Sequence, residues 1–213
     1  MNIEGSRDRY TSPPLLESEL GTDPIAVLRE WLDAAYQCAE LREPNAMTLA
    51  TADGQGRVSA RIVLLRGLDD RGLRFYTSYF SRKAQQLEAN PRAASTFFWA
   101  PLHRQVRVEG SVTQLSEDES DAYFNTRPRG HQLSAWASEQ SAMLERREIL
   151  AERVTHFDER FAGHEVPRPH SWGGYVLAPD YVEFWQGQEN RLHDRLLFER
   201  AGAASWSLRR LQP

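Results

Sequence analysis

The sequence predicts a mainly β protein with peripheral helices, an antiparallel barrel of the α+β class. Three observations carry that expectation. Eight or so apolar runs recur at hairpin spacing, separated by turns such as ADGQG (52–56) and LDDRG (68–72). Helical segments are inserted between these runs without strict alternation, which disfavours a parallel sheet. In RQVRVEGSVTQL (104–115), Val106, Val108 and Val112 alternate with Gln105, Arg107 and Glu109, so one face is buried and one wet.

The elements follow in order. Residues 1–22 are polar, contain Pro13–Pro14, and are expected to form a mobile N-terminal arm; residues 23–213 are expected to form a single domain. Asp23 caps a helix with Pro24 at its first position. Ile25, Leu28, Trp31, Leu32 and Ala35 give that helix one apolar face. After Pro44 the pattern turns to β: AMTLAT (46–51) and RVSARIVLLRG (57–67) read as a hairpin, followed by LRFYTS (73–78). Ser81 caps a short helix that stops before Pro91, and AASTFFWA (93–100) leads into the strand at 104–115. Ser116 and Glu119 form a capping box ahead of a third helix. Another helix spans roughly 143–162, its charged surface solvated. Four strand-like runs close the chain: GGYVLAP, DYVEFWQ, DRLLFERA and SWSLRRLQ. There is no internal repeat, low-complexity tract or linker.

Bulk properties exclude several function classes. The 213 residues are 40% hydrophobic with six Trp, ample for a core, and the net charge of -4 offers no basic field for nucleic acid or anionic lipid. The one cysteine, Cys38, cannot form an internal disulfide and fits a reducing, cytoplasmic setting. The stretch MNIEGSRDRYTSPP has no apolar h-region, so no signal peptide is expected, and no run approaches membrane-spanning length. A dinucleotide fingerprint, a Walker loop, a nucleophile elbow and HExxH are all missing, and the histidines lack metal-ligand spacing.

What remains are clusters of cations near strand and helix ends. RIVLLR (61–66) has an arginine at each end of four apolar residues. Strict alternation sends Arg61 and Arg66 to opposite faces, so one site holds both only through a bulge or two ligands. SRK (81–83) opens a helix, an anion site or simply a capped surface helix. YFNTRPRG (123–130) ends a helix with two arginines, which alone would only offset its dipole. WQGQENRLHDR (185–195) is hardest to explain as structure. On a strand, Arg191, His193 and Arg195 would share one face with Leu192 behind, a floor for a flat anionic ligand.

Together these words resemble the pyridoxine/pyridoxamine 5′-phosphate oxidase family. EPNAMTLAT, RIVLLRG, FYTSYFSRKAQQL, NPRA, RQVRVEG, YFNTRPRG, WASEQS, WGGY, EFWQGQENRLHDR and RRLQP appear in the family's order and cover most of residues 24–213. The resemblance implies a split β-barrel that binds flavin mononucleotide (FMN) at the interface of a homodimer. It implies oxidation of pyridoxamine or pyridoxine 5′-phosphate by O₂ to pyridoxal 5′-phosphate, with H₂O₂ and, from the amine, ammonia. The implied cofactor residues are Arg61, Ile62, Val63, Leu64, Leu65, Arg66, Tyr76, Thr77, Arg82, Lys83, Gln105, Gln140, Ser141, Trp185 and Arg195. The implied substrate residues are Arg66, Tyr123, Arg127, His131, Arg191, Leu192 and His193, with Arg191 and His193 nearest the chemistry. Arg7 and Tyr10 match arm residues that fold over the substrate. No metal is implied.

This sequence departs from the family pattern at three positions. Arg66 stands where Lys is usual, His131 where a small hydroxyl residue is common, and Glu43 where Asp is also found. Two rival readings share the fold: a phenazine-biosynthesis-type FMN oxidase, and a non-catalytic flavin or pyridoxal-phosphate carrier.

Overall fold

In the computed structural model, which describes residues 10–202 and 205–213, one antiparallel sheet forms the body of the molecule. Its strands are β1 (Ala46–Ala52), β2 (Val58–Leu64), β3 (Gly67–Asp69), β4 (Gly72–Ser78) and β5 (Arg92–Trp99). They continue with β6 (Arg104–Gln114), β7 (Trp172–Gln186), β8 (Asp194–Arg200) and β9 (Trp206–Arg210). The order is β2-β1-β5-β6-β7-β4-β3, with β8 paired to β7 and β9 to β8. Although β2 and β3 end opposite sides of that order, only Leu65 and Arg66 separate them in the chain. The Leu65 N–H donates to the Asn45 carbonyl and the Arg66 N–H to the Arg74 carbonyl, both at 2.8 Å. This two-residue link joins the two edge strands, bonds to the start of β1 and to β4, and curls the sheet into the expected barrel.

Five α-helices flank the sheet: α1 (Pro24–Gln37), α2 (Arg82–Ala89), α3 (Glu117–Asn125), α4 (Arg129–Ala137) and α5 (Glu148–Arg160). Their starts follow the local chemistry. Asp23 accepts from the Ile25 N–H, Ser81 from Ala84, and Ser116 with Glu119 closes a full capping box. The main core joins Met47, Leu49, Phe75, Phe97, Val106 and Phe184 from the strands to Leu28, Trp31 and Ala35 of α1. Fully burying each large side chain contributes about 1.5–3 kcal/mol. A smaller core of Phe124, Leu133, Val166 and Trp172 sits under α3 and α4.

Three boundaries differ from the sequence reading. GGYVLAP and DYVEFWQ are one 15-residue strand, β7, not two. The register shifts where Gly110 faces Pro179 and Glu109 faces Tyr181, so Asp180 is the extra residue of a bulge, a place where a strand tolerates proline. Leu73–Ser78 of β4 pair with the first half of β7 and β8 with the second, so the bend lets one strand serve both. The helix read at 143–162 is confined to α5. Residues 129–137, to which the sequence reading gave no element, form α4, which starts after Pro128 and buries Leu133 and Ala137 on one face.

Residues 10–22, the described part of the predicted arm, lie against the barrel. Leu15 is buried, its N–H donates to Asp194, and its carbonyl accepts from Arg210.

Candidate active site

A cleft of about 1090 Å³ opens beside the Leu65–Arg66 link. Because β2 ends at Leu64, strict alternation stops before Arg66, and Arg61 and Arg66 both line the cleft. Ile62, Val63, Leu64 and Leu65 line it between them. Tyr76, Thr77, Lys83 and Gln140 join from the cofactor set, and Tyr123, Arg127 and His131 from the substrate set.

The inner end gathers cations. Arg61 donates to the Leu49 carbonyl (3.1 Å), to Thr51 Oγ1 (2.7 Å) and to Ser59 Oγ. Lys83 Nζ donates to Thr77 Oγ1 (3.0 Å), Ser81 Oγ (3.4 Å) and Gln140 Oε1 (2.9 Å). Every one of these partners is neutral. Lys83 is buried at 8% exposure, and burial, with Arg61 beside it, pushes its pKa down to about 8. Burial, then Arg82, likewise lowers that of Arg61. Arg82 opens α2, and its backbone N–H donates to Ser141 Oγ at 3.2 Å, which brings Ser141 to the helix start. Uncompensated cations beneath a helix N-terminus form a seat for an anion.

The outer end holds Arg127. Its guanidinium lies 4.5 Å from the Trp172 ring centroid and 5.4 Å from that of Phe124. One terminal nitrogen, Nη1, is buried without a hydrogen-bond partner among the described residues. Burial depresses the Arg127 pKa, and Arg66 adds to the effect. Tyr123 stacks on Tyr76 at 3.8 Å and Tyr76 on Trp172 at 5.5 Å, so the cleft has a flat aromatic wall. His131 is exposed in the first turn of α4.

The remaining predicted residues do not line this cleft. Gln105, Trp185 and Arg195 form one cross-strand row with Phe98 on the outer face of the sheet. Arg195 is held by Glu183, with Nε to Oε1 at 2.8 Å and Nη2 to Oε2 at 3.1 Å, which raises its pKa. The expectation that Arg191, His193 and Arg195 share a strand face is corrected. β8 begins only at Asp194; Asn190 and Arg191 adopt left-handed backbone (φ 55° and 64°), and Leu192 is 69% exposed. The ring of His193 instead packs 4.6 Å from Trp185 and 5.5 Å from Tyr10, and its Nδ1 accepts from the Gln188 N–H at 3.0 Å. Burial, then Arg191, lowers its pKa. Arg7 lies outside the described residues.

Sequence reasoning missed the residues that hold these groups in place. Thr51, Ser59 and Gln86 cradle Arg61, Trp172 carries Arg127, and Glu183 orients Arg195. Only Glu183 had a legible signal, two residues from Trp185 and therefore on its face. Among the described residues no group of His, Cys, Asp and Glu could hold a metal, and no helix is long and apolar enough to cross a membrane.

Comparison with known proteins agrees with this architecture. Residues 32–161 match the family model described as pyridoxamine 5′-phosphate oxidase. Residues 172–213 match the pyridoxine 5′-phosphate oxidase C-terminal dimerisation region. A pyridoxine/pyridoxamine 5′-phosphate oxidase of Rubrobacter xylanophilus is 54% identical, covering 100% of this chain and 97% of the relative. One of Bordetella avium is 51% identical over the whole of both chains. Among solved structures, PhzG of Burkholderia lata, in complex with tetrahydrophenazine-1-carboxylic acid, superposes with a TM-score of 0.87 at 35% identity, covering 94% of this chain and 98% of its own. An FMN-binding protein from Nostoc punctiforme shares the fold, with a TM-score of 0.72 at 19% identity, covering 91% of this chain and 100% of its own. With both of its regions matched and full-length relatives at about half identity, the chain belongs to the pyridoxamine 5′-phosphate oxidase family, a family of oxidoreductases.

Proposed function

We propose that the chain is an FMN-dependent oxidase of vitamin B6 metabolism in the cytoplasm. It converts pyridoxamine or pyridoxine 5′-phosphate to pyridoxal 5′-phosphate, reduces O₂ to H₂O₂, and releases ammonia from the amine. One observation carries this reading: a single cleft holds two separate groups of cations without carboxylate partners among the described residues, Arg61 with Lys83 and Arg66 with Arg127. Two anionic groups in one cleft fit a phosphorylated cofactor and a phosphorylated substrate.

The residues present suit FMN. Arg61, Arg82, Lys83 and Ser141 would receive its phosphate at the start of α2, while Thr77 and Gln140 orient Lys83. The bound flavin supplies the two-electron acceptor that no protein side chain provides. Tyr123, Arg127, Arg66 and His131 would grip the substrate phosphate. Arg191 and His193 would hold the pyridine ring from its open side, with Tyr10 of the arm beside His193; the resemblance adds Arg7 as a further substrate contact.

A homodimer completes the site in this reading. Val58, Ile62 and Phe98 are 76%, 63% and 57% exposed on the outer sheet face, among small residues such as Ala50, Ala60 and Thr96. Such an apolar face calls for a cover. A second copy would cover it and bring its Gln105–Trp185–Arg195 row to the cleft.

The deciding experiment adds pyridoxamine 5′-phosphate to FMN-loaded protein and measures peroxide, ammonia and pyridoxal 5′-phosphate. Stoichiometric release of all three is expected, from a yellow dimer with about one FMN per subunit. Binding without turnover would make the protein a carrier. Turnover only with tetrahydrophenazine-1-carboxylic acid would favour the phenazine reading.

A further inference from the structure

The turn between β7 and β8 is held from outside itself. Asn190 and Arg191 occupy left-handed backbone, a conformation that persists in non-glycine residues only when its surroundings impose it. Asp194 is the centre of those surroundings, its side chain 15% exposed. Oδ2 accepts from the Leu15 N–H of the N-terminal segment at 3.0 Å and from Gln188 Nε2 of the turn at 2.9 Å. Oδ1 accepts from Arg210 of β9 at 2.6 Å, and Arg210 in turn grips Glu17 and the Leu15 carbonyl. Gln188 is the relay: its side chain also donates to the Pro13 carbonyl, while its backbone N–H donates to His193 Nδ1.

Two further contacts tie segment and turn together. The Tyr10 ring sits edge-on to His193 at 5.5 Å, to Trp185 at 5.8 Å and to His103 at 4.7 Å. Gly187 makes room for it, since a Cβ there would stand 2.8 Å from the Tyr10 ring.

We propose that Asp194 is a positioning residue that fixes the imidazole of His193, through Gln188 and the docked N-terminal segment, with Nδ1 as acceptor and Nε2–H as its one outward donor. The chemistry of the bond requires this tautomer. A backbone N–H can only donate, so the nitrogen facing it carries a lone pair and the proton resides on the other. His193 therefore presents a hydrogen-bond donor to whatever enters beside it, and takes no proton from substrate at Nε2. The functional consequence rests on the reading of His193 as a substrate contact.

The test uses FMN-loaded full-length protein labelled with ¹⁵N-histidine. The His193 ring signals are assigned by their loss in His193→Asn. The wild type is expected to show a single Nε2–H tautomer. Asp194→Ala and Gln188→Ala are expected to average the two tautomers and to lower kcat about tenfold, the scale of one misplaced hydrogen bond, with flavin content unchanged. Gln188→Ala leaves the Asp194–Leu15–Arg210 contacts intact, so it decides the matter even if Asp194→Ala does not fold. In a His193→Asn background the same substitutions should lower kcat no further, because the effect runs through His193. An unaltered His193 ring pattern in Gln188→Ala or Asp194→Ala overturns the proposal. Wild-type turnover by His193→Asn would instead remove His193 as a substrate contact, while the ring pattern still judges the role of Asp194.

Discussion

The cleft and the outer row of β6, β7 and β8 are both rich in arginine, yet they treat charge in opposite ways. In the row, Arg195 and Arg107 share the buried carboxylate of Glu183, and Arg107 also reaches Glu109. At its end, Arg210 is met by Asp194 and Glu17. In the cleft, Arg61 and Lys83 rest on hydroxyl, amide and carbonyl oxygens, and Arg127 on aromatic faces with one nitrogen unpartnered among the described residues. A buried cation without an anion is costly, and a structure keeps it where a ligand brings the missing charge. A compensated arginine adds little net field, but its guanidinium is aimed. In the proposed reading the cleft attracts anions and the row orients donors.

The largest effect should come from the least compensated group. Arg127→Ala is expected to lower kcat/KM for pyridoxamine 5′-phosphate by about 100-fold, the scale of one or two charge-assisted hydrogen bonds, while flavin content stays near the wild type. Steady-state kinetics beside a flavin absorbance spectrum would show it. Equal loss of flavin would merge the two anion seats into one.

Next comes a crossed pair. Lys83→Ala and Arg82→Ala should weaken FMN binding by about 10- to 100-fold and spare turnover at saturating FMN. Arg191→Ala and His193→Ala should do the reverse. Fluorescence titration of apoprotein with FMN, run alongside peroxide release, separates the two groups. Four variants failing alike would break the division between the seat at the start of α2 and the turn between β7 and β8.

Glu183→Gln probes the compensated region. Its carboxylate is buried but both arginines reach solvent, so the loss is discounted to about 1–3 kcal/mol from the full cost of breaking a buried pair. For a chain of this size that lowers Tm by about 2–12 °C. Scanning calorimetry on the FMN-free protein reads this apart from cofactor loss. An unchanged Tm would mean that Glu183 holds nothing.

The smallest effect is a pH dependence. Lys83 is the chain's only lysine, and in the free protein it is pushed down to about 8. A bound phosphate dianion favours the protonated amine and raises that value. The lysine's share of FMN affinity is therefore complete below about 8 and is lost as pH rises through it, at most about tenfold per pH unit for one linked proton. The second ionisation of the phosphate, near pH 6, is already complete there. Lys83→Arg, which does not titrate, should flatten the FMN Kd between about pH 7 and pH 10, a window spanning the depressed and ordinary lysine values. Parallel curves for the two proteins would place Lys83 away from the phosphate.

The sequence by itself determined what depends on local spacing. Period-2 alternation marked most strands, the Asp23, Ser81 and Ser116 caps marked three helix starts, and the ordered motif words marked the family and the residue types of both anion seats. The tertiary structure alone decided what depends on separate segments meeting. The bulge at Asp180 turns two apparent strands into one, because β4 and β8 pair with different halves of it. Arg61 and Arg66 reach one cleft because β2 ends at Leu64 and the next two residues join the two edge strands, β2 and β3. Whether an arginine is neutralised likewise cannot be read from its neighbours in the chain. Glu183 reaches Arg107 and Arg195 only across strands, while Arg127 finds Trp172 instead of a carboxylate. Charge compensation is a property of contacts in space, and here it separates arginines held by a carboxylate from cations that rest on neutral oxygens and aromatic rings.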